Sequence, residues 1–254
     1  MTSIADGGRA GMPAGDGVGT GTDLGHALAM AAMALARRFA DGATLWCLAP
    51  EWPEHARHLA VEFVHPVVVG KRALPAVSVS PSNPVSTLRA AVRAGDVVLV
   101  VSRHDEPVTH SVLRRAQAWG ASTIWLGAGE APTAWPGAAP ADHIVWVDDD
   151  GDATAHHDGR LVLLYHVLWE LTHVCFEHPG LLTAADPAGC DEGEVCITCS
   201  DEGRLGEVIG VVDFATAKVR TARGVELIDT TIVDPLCSGD LVLIHAGAAI
   251  TALP

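Results

Sequence analysis

The feature that most constrains this chain is an alternation. Five short runs rich in β-branched residues stand out: ATLWCLA (43–49), PAVSVS (75–80), DVVLVVS (96–102), STIWLGA (122–128) and HIVWVDD (143–149). Gly, Pro or Asp bounds each run, as expected where strands end. Between them lie the helical patterns EHARHLAVEFV (54–64), VSTLRAAVRAG (85–95) and EPVTHSVLRRAQAWG (106–120). An amphipathic helix from Thr22 to Ala40 precedes them, with Leu24, Leu28, Leu35 and Phe39 at near-helical spacing. The segment RLVLLYHVLWELTHVCFEH (160–178) follows as a last helix. Its leucines cover most of the circumference, which predicts that it is well buried. Strands that alternate with helices predict a parallel sheet covered on both faces, hence a three-layer α/β domain over 22–178.

The period then changes. The segment PGLLTAADPAGCDEGE (179–194) mixes Pro, Gly and acidic residues and reads as a linker. Beyond it come the short strands LGEVIGVVD (205–213), TAKVRTA (216–222), VELIDTT (225–231) and DLVLIHAG (240–247). Tight turns at Arg223-Gly224 and Ser238-Gly239 separate some of them, and no helix-length segment remains. This predicts a small all-β, OB-like barrel over 195–254. The Gly-rich start, residues 1–21, reads as a flexible tail.

Charge narrows the partners. The formal net charge is −15, and residues 190–254 carry eleven acids against four bases. Such a surface repels phosphate backbones, which argues against nucleic acid and anionic membrane as partners. No apolar run reaches transmembrane length, and the start has neither the basic nor the apolar region of a secretory signal. Six cysteines at irregular spacing fit reduced thiols in a cytoplasmic protein better than a disulfide framework.

Two groups of residues carry chemistry. In the β-rich part, Cys196 offers a thiolate and His245 an imidazole, a pairing that suits a transition metal such as iron. Cys199 adds a second sulfur in C-x-x-C spacing, compatible with zinc, with redox chemistry or with chance. In the α/β part, His58 and Glu62 share one face of a helix, four residues apart.

The C-terminal stretch resembles the HypC/HupF family of hydrogenase-maturation chaperones. The resemblance rests on Cys196, on Val212-Asp213-Phe214, and on the closing motif GDLVLIHAGAAI from Gly239 to Ile250. It implies a transient Fe(CN)2(CO) cargo held by Cys196 with His245 beside it. It also implies a HypD-type scaffold and a hydrogenase large-subunit precursor as partners. The chain departs from the family in having an internal cysteine and no proline after it. It also ends without the family's C-terminal helix.

Residues 24–178 resemble the sugar-isomerase (SIS) domain, phosphoheptose isomerase in particular. This rests on A-x-x-F-x-x-G-A-T-L (36–45), HARHLAVEFV, ALPAVSVS and RAQAWGASTIWL. The resemblance implies a ligand or metal site at His58, Glu62 and His166, two histidines and a carboxylate that could ligate zinc or form an acid–base set, and assembly into a homo-oligomer. The loops APEWPEHA (49–56) and SRHDEP (102–107) depart from the family's phosphate-gripping loops, because Asp105 and Glu106 repel an anion and Pro50, Pro53 and Pro107 lack N–H donors. Asp158 stands where the isomerases carry a glutamine ligand. The expectation is a carrier of the iron unit between scaffold and precursor, not an enzyme. The alternative is a SIS-type sugar-phosphate or small-metabolite isomerase or binding protein that docks through its β-module, and a third reading is a structural adaptor.

Overall fold

A computed structural model describes residues 21–130, 140–147, 157–182 and 203–253. The expected tail, most of the expected linker, and Cys190, Cys196 and Cys199 lie outside the described residues.

The first domain is a parallel sheet of five strands in the order β2-β1-β3-β4-β5. These are β1 (Leu45–Leu48), β2 (Ala76–Ser78), β3 (Val97–Ser102), β4 (Ser122–Ala128) and β5 (His143–Val147). Side chains alternate across the sheet, so each strand feeds two cores. Val97, Leu99 and Val101 of β3 face one side. There they meet α1 (Gly21–Ala40), α2 (Pro53–Val64) and α5 (His157–Glu177). Val98 and Val100 face the other side, against α3 (Pro84–Ala91) and α4 (Pro107–Ala118). Every residue of VVLVVS is therefore buried, as a central parallel strand requires.

The last helix differs from expectation. Leu161, Leu164, Tyr165, Leu168, Trp169, Thr172 and Cys175 of α5 are buried, but Leu163 is 64% exposed. The helix packs inward against α1 and α2 and turns one face, with Leu163 and Val167, to solvent. Composition alone hid this, because an outward leucine costs little and leaves no mark on the period.

The second domain is a closed barrel of five strands, ordered β10-β8-β7-β6-β9. They are β6 (Arg204–Val211), β7 (Thr216–Thr221), β8 (Gly224–Asp229), β9 (Leu241–His245) and β10 (Ala248–Leu253). The sequence reading stopped one strand short. Ala246 (φ 47°) and Gly247 (φ 82°) form a two-residue turn, after which β10 runs back along β9. The pair Ala248↔Asp229 then joins β10 to β8 and closes the barrel. Val208, Ala217, Val219, Ile228, Val242, Ile244 and Ala249 fill it.

Charge ties the two domains together. Arg89 Nε on α3 donates to the buried Glu207 of β6 at 3.0 Å, and the Trp119 indole donates to it at 2.7 Å. The guanidinium of Arg220, which pairs across from Glu207 on β7, lies over the Trp119 ring. It donates to the carbonyls of Arg89 and Val92, and Arg115 donates to the carbonyl of Gly239 at 2.9 Å. Among the described residues no helix is long and apolar enough to cross a membrane.

Candidate functional site

Helix α2 begins at Pro53, whose missing N–H costs nothing in a first turn. Its buried stripe of His55, Ala56, Leu59, Ala60 and Phe63 fixes the rotation of the helix. That rotation leaves His58 and Glu62 beside α5, one turn apart. Helix α5 brings His166 to the same point.

The three side chains meet at one oxygen. Glu62 Oε1 lies 3.2 Å from His58 Nε2 and 3.4 Å from His166 Nε2. One ligand atom from each residue fits within 4.8 Å of the others. The imidazoles are about two-fifths exposed and Glu62 less so, so the cluster opens to solvent on one side.

Hydrogen bonding fixes one of the two rings. His166 Nδ1 lies 2.7 Å from the carbonyl oxygen of Val162, which can only accept. The ring proton therefore sits on Nδ1, and a neutral His166 aims the lone pair of Nε2 at a carboxylate oxygen. Two acceptors face each other, and a proton or a cation between them removes the conflict. Two imidazoles and a carboxylate form a donor set for zinc, iron or a similar divalent ion, with room for an exogenous ligand on the open side. The chemistry of these residues fits such a group.

The outer contacts escaped the sequence reading. Tyr165 hydroxyl lies 2.8 Å from His58 Nδ1 and 3.4 Å from His55 Nδ1. The usable signal was composition, since Tyr165 is the single tyrosine of the chain and directly precedes His166. Two further histidines, His104 and His110, lie elsewhere. His110 Nε2 donates to the carbonyl oxygen of His104 at 2.8 Å, and its ring packs edge-on against Trp125 in the opposite core.

The loops that would grip a phosphate are occupied by the protein's own groups. Glu106 accepts the backbone N–H of Thr109 at 2.7 Å and caps α4 with its carboxylate. Glu51 accepts the backbone N–H of Arg103 at 3.1 Å and pairs with the Arg103 guanidinium at 3.3 Å. A helix N-terminus already capped by a carboxylate holds a second anion poorly.

In the barrel, His245 is half-buried at the end of β9, immediately before the Ala246-Gly247 turn. Its expected partners Cys196 and Cys199 lie outside the described residues, as does the side chain of Asp158. Cys237 is exposed in the β8–β9 loop, where its N–H donates to Asp240 Oδ2 at 2.7 Å.

No protein-family model matches the sequence, and no curated protein matches it. Solved structures that are similar include a phosphoheptose isomerase from Francisella tularensis, 17% identical with a TM-score of 0.49, covering 59% of this chain and 86% of that one. Phosphoheptose isomerase GmhA from Neisseria gonorrhoeae is also 17% identical, with a TM-score of 0.48 over 59% of this chain and 88% of that one. The sugar isomerase domain of an RpiR transcription factor from Sphaerobacter thermophilus is 15% identical, with a TM-score of 0.42 over 62% of this chain and 81% of that one.

Proposed function

We propose that this chain is a SIS-type binding protein that holds a divalent metal or a small polar ligand between α2 and α5 and docks through its barrel. One observation carries the reading: two imidazole nitrogens converge on one carboxylate oxygen, at 3.2 and 3.4 Å, on a surface open to solvent. His58, Glu62 and His166 would be the protein ligands, and a bound ion would add Lewis acidity at the open position. The capped α4 N-terminus and the Glu51–Arg103 pair support binding rather than isomerisation of a sugar phosphate. Elemental analysis tests this after dialysis of the full chain against zinc or iron(II). The reading expects about one ion per chain, lost in a His58→Ala, Glu62→Ala double variant. Equal metal content in the two proteins would remove it.

A second reading concerns the process served, and the barrel favours it. The closing motif forms β9, a two-residue turn and β10, with His245 at the turn. The same barrel leaves Val211, Val212, Phe214, Val225 and Leu227 exposed, apolar side chains available to a protein partner. Together with the likeness to HypC/HupF chaperones, this supports a hydrogenase-maturation factor. It would carry the Fe(CN)2(CO) unit from a HypD-type scaffold to the large-subunit precursor, on Cys196 and His245 with Cys199 as a further thiolate. The two readings are compatible, because the α2–α5 cluster and the barrel are different surfaces. Infrared spectra of protein isolated from hydrogenase-producing cells decide the second. Metal-bound CO and CN bands that vanish in Cys196→Ala support it; their absence from wild type sinks it.

A further inference from the structure

His166 is held in one tautomer by its own helix, but His58 is not. The partner of His58 Nδ1 is a phenol at 2.8 Å, and a phenol can either donate or accept. Tyr165 is buried, and its oxygen also lies 3.4 Å from Nδ1 of the buried His55. The phenol has one proton, and two imidazole nitrogens within reach compete for it.

Each choice sets a different state of the cluster. When Tyr165 donates to His58 Nδ1, the single ring proton of neutral His58 must sit on Nε2. That N–H then points at Glu62 Oε1, 3.2 Å away, and closes the cluster with an internal hydrogen bond. When Tyr165 donates to His55 instead, its oxygen accepts from His58 Nδ1–H. The Nε2 lone pair of His58 then faces Glu62 and His166, and all three ligand atoms are electron pairs free for a cation. His58 keeps one ring proton in both states; only its position changes.

We infer that Tyr165 and His55 are positioning residues that set the tautomer of His58 and so decide whether the cluster is closed or ready to ligate. This rests on the binding reading above and deepens it. Neither residue touches the ligand position. The pair works through hydrogen-bond direction, as outer contacts commonly do in orienting metal-binding histidines.

The experiment uses the full ¹⁵N-labelled chain at one fixed neutral pH. Long-range ¹H–¹⁵N imidazole spectra report the tautomer of His58, and calorimetric titration with Zn(II) reports affinity. In His55→Leu the phenol loses its alternative acceptor, so His58 should shift to the Nε2–H form and zinc binding should weaken about 10- to 100-fold. His55→Gln supplies an amide oxygen in that place and should restore most of both readouts. Tyr165→Phe keeps the ring packing and carries the test if His55→Leu fails to fold; it should alter the His58 tautomer ratio and weaken zinc to a similar degree. Wild-type tautomer ratios and wild-type zinc Kd in both His55→Leu and Tyr165→Phe would overturn the inference. If wild type takes up no more zinc than His58→Ala, the binding reading falls, and the tautomer ratios of the zinc-free variants alone uphold or overturn the role of the Tyr165–His55 pair.

Discussion

The Glu207 carboxylate, wholly buried on the barrel, accepts a 2.7 Å hydrogen bond from the indole of Trp119, which ends α4 in the α/β domain. Arg89 adds two N–H donors to the same carboxylate, and Arg115 Nε stands 3.4 Å from it. A carboxylate so placed is tolerable only because donors from the other domain replace its water. The two cores are therefore joined by a polar joint whose partners come from α3, α4 and β6.

Replacing Glu207 should show this directly. Glu207→Leu leaves three guanidinium groups together without their counter-charge and the Trp119 N–H without an acceptor. We expect a loss of about 3 kcal/mol in urea unfolding, with Glu207→Gln milder because an amide oxygen still accepts from Trp119. Equal stability of Glu207→Leu and wild type would show that the joint contributes nothing.

A second prediction concerns Gly127. It pairs with Trp146 across β4 and β5, and a Cβ built there would lie 1.9 Å from the Trp146 ring. Gly127→Ala must displace the indole, whose Nε1 donates to Gly129 O at 2.9 Å. The expected cost is about 1–3 kcal/mol. Trp146→Leu should relieve most of it, so thermal unfolding of the double variant should be strongly non-additive.

Lys71 carries a pH dependence whose sign can be worked out. It bridges Glu170 at 3.1 Å and Glu177 at 2.8 Å, pinning the loop after α2 to α5. The hydrogen bond from Lys71 holds the Glu177 carboxyl below its ordinary range, and the bond to Glu177 holds Lys71 above its own, against the opposing effect of burial. The contribution of Glu177 is present above the unfolded carboxylate pKa and is lost as pH falls through the folded one. That of Lys71 is present below the unfolded lysine pKa and is lost as pH rises through the folded one. Lys71→Met should therefore be less stable than wild type between about pH 5 and pH 10, with the gap closing on either side. A gap that stays constant down to strongly acid pH would refute the pairing.

The described cysteines should label in a definite order. Cys237 is exposed, whereas burial pushes the thiols of Cys47 and Cys175 up, away from the reactive thiolate. Brief treatment of native protein with iodoacetamide, followed by peptide mass spectrometry, should modify Cys237 first and Cys47 only on unfolding. Early labelling of Cys47 would contradict its burial on β1, between β2 and β3. The same digest reports how readily Cys196 and Cys199 react.

Much of the fold was legible in the sequence because it is written locally. Runs such as DVVLVVS, and the switch from helix-spaced to strand-spaced patterns, specify elements through steric preferences that act over a few residues. The fifth barrel strand was missed because the two-residue turn at Ala246-Gly247 is short and carries Ala at a left-handed φ, a weak signal beside Asn-Gly. The exposed face of α5 was missed because an apolar residue does not announce its neighbours.

By itself the sequence determined the helices and every strand of the described domains but the fifth of the barrel, the α/β-then-β order, the His58/Glu62 spacing and, through likeness, the candidacy of His166. Only the tertiary structure decided that His58 and His166 converge on one oxygen of Glu62, that Tyr165 stands between two histidines, and that Glu207 is sealed among groups of another domain. The division has a physical cause. Backbone sterics and solvent periodicity act within a turn or a pleat, whereas a hydrogen bond between distant elements depends on their mutual rotation and depth, which are set when whole faces pack at once.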